Sequence, residues 1–308
     1  MTFDITALGI EINLLMIALG LFIGGLSSTF GVGGGFLLVP VLSLAFGVPA
    51  HIAKACSLAQ MVPTSSFGLY GHFRRRNVVP WVAVVFFLGA AGGIELGAYL
   101  TELLKSEDLV FHMLGTQIAQ GDVYLLAGLS VVFFLQGSFL IYETHRIPRK
   151  ENGEPGTRFT GLLRLKTVPP LFKPSDGSFE PFPYINLVVL GFFAGIAIGF
   201  LGLGGGFVAV PILVYLVGLD TRKAVGTSLF LVLLAAIWGT YRHTAAGRLN
   251  VDWGITTSIV LGSFIGAQIG VWLNSVVKPA NIRRYFGYII FSMSVLVWVG
   301  FILRHLLA

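Results

Sequence analysis

Gly31-Val32-Gly33-Gly34-Gly35-Phe36, followed by Val39-Pro40 and Gly47, returns later in the chain as Gly202-Leu203-Gly204-Gly205-Gly206-Phe207, Val210-Pro211 and Gly218. The offset is constant and ungapped. It continues through Ser57-Leu58 and Ser228-Leu229 to Tyr70/His72 and Tyr241/His243. Both copies sit among apolar residues, where a run of glycines has no use in a water-soluble core. Hydrophobic segments broken by glycine at matching places in two halves are the best sequence-level pointer to the binding site of a secondary transporter.

Composition agrees with a membrane chain. Of 308 residues, 55% are hydrophobic and only 11% charged, and the mean hydropathy is +0.85. A soluble domain carries roughly 25% charged residues. The net charge of +6 is no nucleic-acid footprint, because the basic residues fall mostly in short loops between apolar stretches. The single cysteine, Cys56, excludes an intramolecular disulfide. No Cys/His cluster has metal-ligand spacing, so neither a metal nor a cofactor is expected. The N-terminus lacks the basic start and small-residue cleavage site of a secretory signal, so the first apolar span is expected to be retained.

Ten membrane segments are expected: 8–30, a short 36–46, 52–72, 79–101 and 123–142 in the first half. The second half has 184–200, a short 207–218, 224–243, 253–274 and 282–306. The fold class is therefore all-α and polytopic, with a first repeat over 1–143, a basic linker over 144–183 and a second repeat over 184–308. The two short pieces cannot cross about 30 Å as straight helices, so half-helices or re-entrant segments are expected there. Five segments per half, an odd number, insert the second half upside down relative to the first. One face then gathers Arg74, Arg75, Arg76, most linker basic residues, Arg222, Lys223, Lys278, Arg283 and Arg284. The other keeps Lys54, Lys105, Arg242, Arg248 and Arg304. By the positive-inside rule the rich face is cytoplasmic and both termini are periplasmic. Eight crossings, with each short piece a dip, would spoil part of this asymmetry. A weak amphipathic segment is expected on the outer surface over 106–120.

The glycines have a chemical use. A helix interrupted within the bilayer leaves up to four backbone N–H groups unsatisfied, which is tolerated only inside protein or beside a wet cavity. Gly33, Gly34 and Gly35, and likewise Gly204, Gly205 and Gly206, permit positive φ and close approach of a ligand. The half-helices that follow would aim about half a positive charge each into the break, making an anion site without a full cation. The bland alternative is close helix packing. That role is expected of Gly20, Gly24 and Gly25, of Gly191, Gly195 and Gly199, and of Gly89, Gly93 and Gly97 with Gly262, Gly266 and Gly270.

The doubled Gly-x-Gly-Gly-Gly-Phe with Val-Pro and Ser-Leu resembles the sulfite exporter TauE/SafE family, also called the toluene sulfonate uptake permease family. The resemblance covers nearly the whole chain. It implies a bacterial inner-membrane carrier, not an enzyme, moving small sulfur-containing anions such as sulfite or sulfoacetate-like organosulfonates, in the export direction more often than not. Composition and spacing by themselves never show sulfur.

Further polar residues complete the expected site. Ser57 and Ser228 match across the repeat, as do Cys56 and Thr227, and Gln60, Thr64, Ser65 and Ser66 surround Pro63. Ser57, Gln60, Thr227 and Ser228 are candidate substrate ligands, their alternative being interhelical bonds. Glu95, deep in its span, is the candidate for proton coupling or for a structural bond. Its repeat counterpart, Gln268, is a candidate substrate ligand. Coupling to a proton or sodium gradient and a glycine-packed homodimer both fit this picture. An anion channel built on the same helix ends is the first alternative, and a membrane sulfur-transfer protein the second.

Overall fold

The computed structural model describes residues 2–5, 10–48, 50–104, 110–113, 116–146, 171–172, 182–201, 205–245 and 251–306. Helices dominate these residues, and each of the ten expected segments is matched by one. They are α1 Leu14–Phe30, α2 Gly35–Ala45, α3 Ala50–Arg74, α4 Pro80–Leu104, α5 Gln120–Arg146, α6 Tyr184–Leu201, α7 Gly206–Pro211, α8 Thr221–Ala245, α9 Trp253–Val276 and α10 Pro279–Leu306. A π-helical turn, Ile212–Val217, continues directly from α7. By length and composition, 80–100, 221–242, 253–276 and 279–299 can each cross a membrane, while 14–30, 184–200 and 206–217 are shorter apolar helices.

Three boundaries differ from expectation. Residues 10–13 pair with 2–5 as a short antiparallel hairpin, and Asn13 caps α1 by accepting the Leu15 N–H at 2.9 Å. The first helix therefore begins at Leu14 rather than near residue 8. A second hairpin, Val110–Met113 with Thr116–Ala119, stands within the stretch expected to be amphipathic. At the far end of the first half, α5 runs on to Arg146, past the expected start of the linker at 144. The linker itself falls mostly outside the described residues.

Two helix pairs form the frame, each sealed by glycines. Against α9, α1 packs so closely that a Cβ on Gly20 would lie 2.1 Å from the Ile259 carbonyl oxygen, and one on Gly262 1.9 Å from that of Ile17. Against α6, α4 does the same: a Cβ on Gly93 would lie 2.0 Å from the Phe192 oxygen, and one on Gly195 2.3 Å from that of Ala90. Thus the first helix of each half grips the fourth of the other. Lipid is as apolar as leucine, so dispersion at such close contact, rather than hydrophobic burial, holds helices together in a bilayer. The glycine seams expected from sequence are all in contact.

The centre is aromatic. Phe36 at the start of α2 stacks on Phe207 at the start of α7 with centroids 6.3 Å apart, and Phe133 of α5 sits edge-on to both. Phe286 of α10 closes the group against Phe36 and Phe30.

Contacts between loops fix two ends. At one, the Thr227 hydroxyl accepts the Val79 N–H at 3.0 Å, Arg222 donates to the carbonyls of Asn274, Ser275 and Val277, and Arg283 donates to the Thr221 hydroxyl. This is the arginine-rich end. At the other, the Asn13 N–H donates to Ser258 and the Cys56 thiol approaches the Asp252 carbonyl.

Candidate functional site

The two glycine breaks meet in the interior. A Cβ on Gly206 would lie 2.5 Å from the Gly31 carbonyl oxygen and 2.6 Å from the Val32 Cα. The Ser228 hydroxyl bridges them, donating to Gly31 O at 2.7 Å with Gly206 O 3.4 Å away. Both helices start alike: Gly34 caps α2 with φ 77°, and Gly205 caps α7 with φ 71°. Only glycine holds such an angle without strain. In each, the first helical acceptor is the cap carbonyl, reached by Leu37 and Leu38 on one side and by Val208 and Ala209 on the other. The N–H groups of Gly33, Gly34, Gly35 and Phe36 have no acceptor among the described residues.

What surrounds the two caps is not alike. The Gly34 cap faces Ser27, whose Cβ is 3.8 Å from the position a Cβ would take there, and the Gln60 side-chain nitrogen at 3.6 Å. Gln60 is fully buried; its Oε1 accepts from Thr64 at 2.8 Å, while its Nε2 has no partner. Ser27 Oγ is buried and unpartnered too. Thr64 also meets the Ser263 hydroxyl of α9 at 2.8 Å. At the repeat offset, Ser27, Gln60 and Thr64 become Ile198, Leu231 and Ala235, and Ser263, at the slightly longer offset that also relates Glu95 to Gln268, corresponds to Ala90. The Gly205 cap accordingly faces Ile198, whose Cδ1 lies 2.1 Å from the Cβ position. The first break meets Ser27 and the Gln60 amide beside Ile23, Val232 and Met61, whereas Ile198 fills the cap of the second, where Ser228 lies at the Gly206 carbonyl and Gln136 donates to that of Phe207.

Beyond the polar break, towards the Trp253 end, lies a cavity of about 400 Å³ between α3, α8 and α9. Val62, Pro63, Thr240, Thr256 and Val260 are in its wall. Pro63 cannot donate to the Ala59 carbonyl, which this gap leaves open to a ligand or water. The Thr240 hydroxyl is buried and unpartnered, and that of Thr256 lies beside the Cys56 thiol. Ser263 lies one turn further along the same face of α9 as Val260, so the wall of the cavity adjoins the Thr64–Ser263 pair.

Other expected ligands lie elsewhere. Ser57 is buried, and its hydroxyl contacts the Met61 sulfur at 3.9 Å. Thr227 is engaged with Val79 at the arginine-rich end, and Gln268 is exposed on α9, donating to the Phe67 carbonyl at 3.4 Å. Gly204 lies outside the described residues. Glu95 is part-exposed rather than enclosed: it accepts from the Trp238 indole at 3.1 Å and pairs with Arg242 at 2.5 Å. Sequence reading passed over Ser27 and Ser263. The run Ser27-Ser28-Thr29, three hydroxyls at the end of an apolar helix just before the break, was the available signal. It also passed over a buried ion pair in which Glu143 of α5 faces Arg283 of α10 at 3.8 Å and accepts from Tyr215 at 2.9 Å.

Broken helices meeting at a polar point inside a bundle of apolar helices define a multi-pass membrane transporter. The sequence profile described as sulfite exporter TauE/SafE matches residues 16–297, and the chain belongs to that family. Among its relatives are two probable membrane transporter proteins of Bacillus subtilis (strain 168). YunE is 25% identical over 280 residues, covering 87% of this chain and 90% of the relative; YdhB is 26% identical over 260, covering 84% and 87%. A probable membrane transporter protein of Xylella fastidiosa (strain Temecula1 / ATCC 700964) is 24% identical over 291 residues, covering 94% and 95%. No solved structure matches the chain.

Proposed function

We propose that the chain is a secondary carrier, working as an exporter, for small sulfur-containing anions such as sulfite or an organosulfonate, with the anion held at the first glycine break. The observation that carries this is the Gln60 Nε2, buried, unpartnered and 3.6 Å from the position a Cβ would take on Gly34, the residue that caps α2. A sulfite or sulfonate offers several acceptor oxygens, and the N–H groups of Gly34, Gly35 and Phe36, the Gln60 amide and the Ser27 hydroxyl are all donors. The helix end adds about half a positive charge. The family description supports a sulfur oxyanion as cargo. Gly205 and Gly206 serve as the packed mate of the polar break, with Ser228 as the bridge and Ser57 backing Met61.

The two halves act as inverted repeats, which the crossed pairing of α1 with α9 and α6 with α4 supports. Alternating access then follows from exchanging which end of the bundle is open. The arginine-rich end faces the cytoplasm of a bacterial inner membrane. Glu95, bound to Arg242, is the coupling group: a proton arriving on the carboxylate releases the guanidinium and loosens α4 from α8.

The test is uptake of sulfite, sulfoacetate, taurine and sulfate into proteoliposomes. Wild type is expected to show saturable transport of a sulfur anion with accelerated exchange, whereas a channel would show conductance without it. Gly34→Leu is expected to abolish transport, since its Cβ would lie 2.5 Å from Ile23 Cγ2 and the αL angle is strained. Normal transport by Gly34→Leu would sink the helix-end site. Failure of every sulfur anion would sink the substrate class.

A further inference from the structure

Several of the buried polar atoms that lack a partner gather along three helices. Ser27 Oγ, Ser28 Oγ, Gln60 Nε2, Ser65 Oγ, His72 Nδ1 and Asn274 Oδ1 all lie where α1, α3 and α9 meet, and each of these residues is fully buried. An orphaned polar atom in a dry interior costs about 1–3 kcal/mol, and natural proteins rarely leave several together without water, an ion or a ligand to satisfy them. We propose that this three-helix junction is the route by which the anion passes between the Gly34 site and the arginine-rich end. It rests on the carrier reading above, and adds the path and its residues.

The contacts join into a line. Ser27 borders the Gly34 cap, and Ser28 follows it on α1. Glycines flank Ser28 on both sides: a Cβ on Gly68 of α3 would lie 2.4 Å from its hydroxyl oxygen, and one on Gly270 of α9 2.9 Å from its Cβ. Its carbonyl accepts from His72 Nε2 at 2.9 Å, which leaves Nδ1 as a free acceptor. Ser65 sits seven residues before His72, on the same face of α3. Asn274 donates to the Thr29 carbonyl at 2.8 Å, and its backbone carbonyl accepts from Nε of Arg222, whose guanidinium ends the line. A hydroxyl or amide every turn or so, and a cation at the mouth, suit a hydrated anion shedding and regaining water. Small separations of α3 from α1 and α9 would suffice, because glycine rather than a side chain fills the contact.

The twin junction argues the same way by contrast. At the repeat offset Ser28 becomes Gly199 and Ser65 becomes Ala236, and neither offers a polar side chain. Packing alone would treat the two junctions equally. At these two positions only the first junction carries hydroxyls.

Thiol accessibility tests the route without naming the cargo beforehand. In a Cys56→Ala background, Ser28→Cys, Ser65→Cys and the matched control Ala236→Cys are exposed to methanethiosulfonate ethylsulfonate, a small sulfonate-bearing reagent, in membrane vesicles of either orientation. Ser28→Cys and Ser65→Cys are expected to react at least about tenfold faster than Ala236→Cys from the arginine-rich side, and to be slowed by the transported anion. Reaction no faster than the control, in protein that remains monodisperse, overturns the route. Two positions on different helices keep the test standing if one replacement disturbs folding. If both cysteines react although no sulfur anion is carried, the route stands and the substrate reading falls. If sulfite is carried and neither reacts, the route falls alone.

Discussion

Gln60 spends one side-chain oxygen on Thr64 and keeps its nitrogen idle in a fully buried place. Idle donors do not stabilise a fold, so removing this one should cost little stability and much binding. Gln60→Leu is expected to raise the KM for the transported anion about tenfold or more, the value of a hydrogen bond to a charged group. Melting in detergent should fall by no more than the equivalent of about 1 kcal/mol, the lost bond from Thr64 to Oε1, because Thr64 keeps Ser263 as a partner. An unchanged KM would show that the amide faces no substrate. Ser228 makes the opposite case. Its hydroxyl ties Gly31 to Gly206, so Ser228→Ala is expected to lower the melting temperature through a lost buried bond worth about 1 kcal/mol. Equal melting temperatures for Ser228→Ala and wild type would remove its bridging role.

Between helices, glycine spacing sets how near two axes come. Gly93 and Gly92 are neighbours on α4 with opposite surroundings. A Cβ on Gly93 meets the Phe192 backbone oxygen at 2.0 Å, whereas one on Gly92 meets only the Phe192 ring at 3.8 Å. Backbone cannot step aside as a side-chain tip can. Gly93→Ala is therefore expected to destabilise by about 1–3 kcal/mol, and Gly92→Ala to stay within about 0.5 kcal/mol. Thermal unfolding of both in the same detergent decides it, and equal shifts would mean that α4 and α6 are not locked at this seam. Such seams were legible in the sequence because glycine at every fourth position has one plain use in an apolar helix. The doubled motif likewise announced two helix starts, since a positive φ at Gly34 and Gly205 needs glycine. The π turn after Pro211 was not legible: the first copy, Gly35–Ala45, has the same Val-Pro and stays α-helical. Nor was the inequality of the two breaks, for Ile198 and Leu231 read as ordinary apolar residues until the structure sets them where Ser27 and Gln60 stand.

Across the whole molecule, the repeat makes a near-symmetric frame and then departs from symmetry at a few polar positions. The Glu95–Arg242 pair is such a departure, because the corresponding positions are Gln268 and Gly71. Its geometry follows the repeat even so: Glu95 meets Trp238 as Gln268 meets Phe67, and Phe67 and Trp238 correspond. Only one of the two equivalent joints is charged, and it links α4 of the first half to α8 of the second. The carboxylate is 37% exposed and the guanidinium 56%, so as a structural bond the pair is worth at most about 1 kcal/mol. A coupling role predicts more than that. Glu95→Gln is expected to melt close to wild type and to exchange anion across the membrane, yet to lose stimulation by an imposed pH gradient. Arg242→Gln should lose it as well, because the released guanidinium is what couples protonation to movement of α8. Gradient-driven uptake compared with exchange in the same proteoliposomes separates the two readings. Retained proton stimulation in Glu95→Gln would reduce the pair to a surface contact and leave Glu143, the buried acid at the arginine-rich end, as the next carboxylate to test.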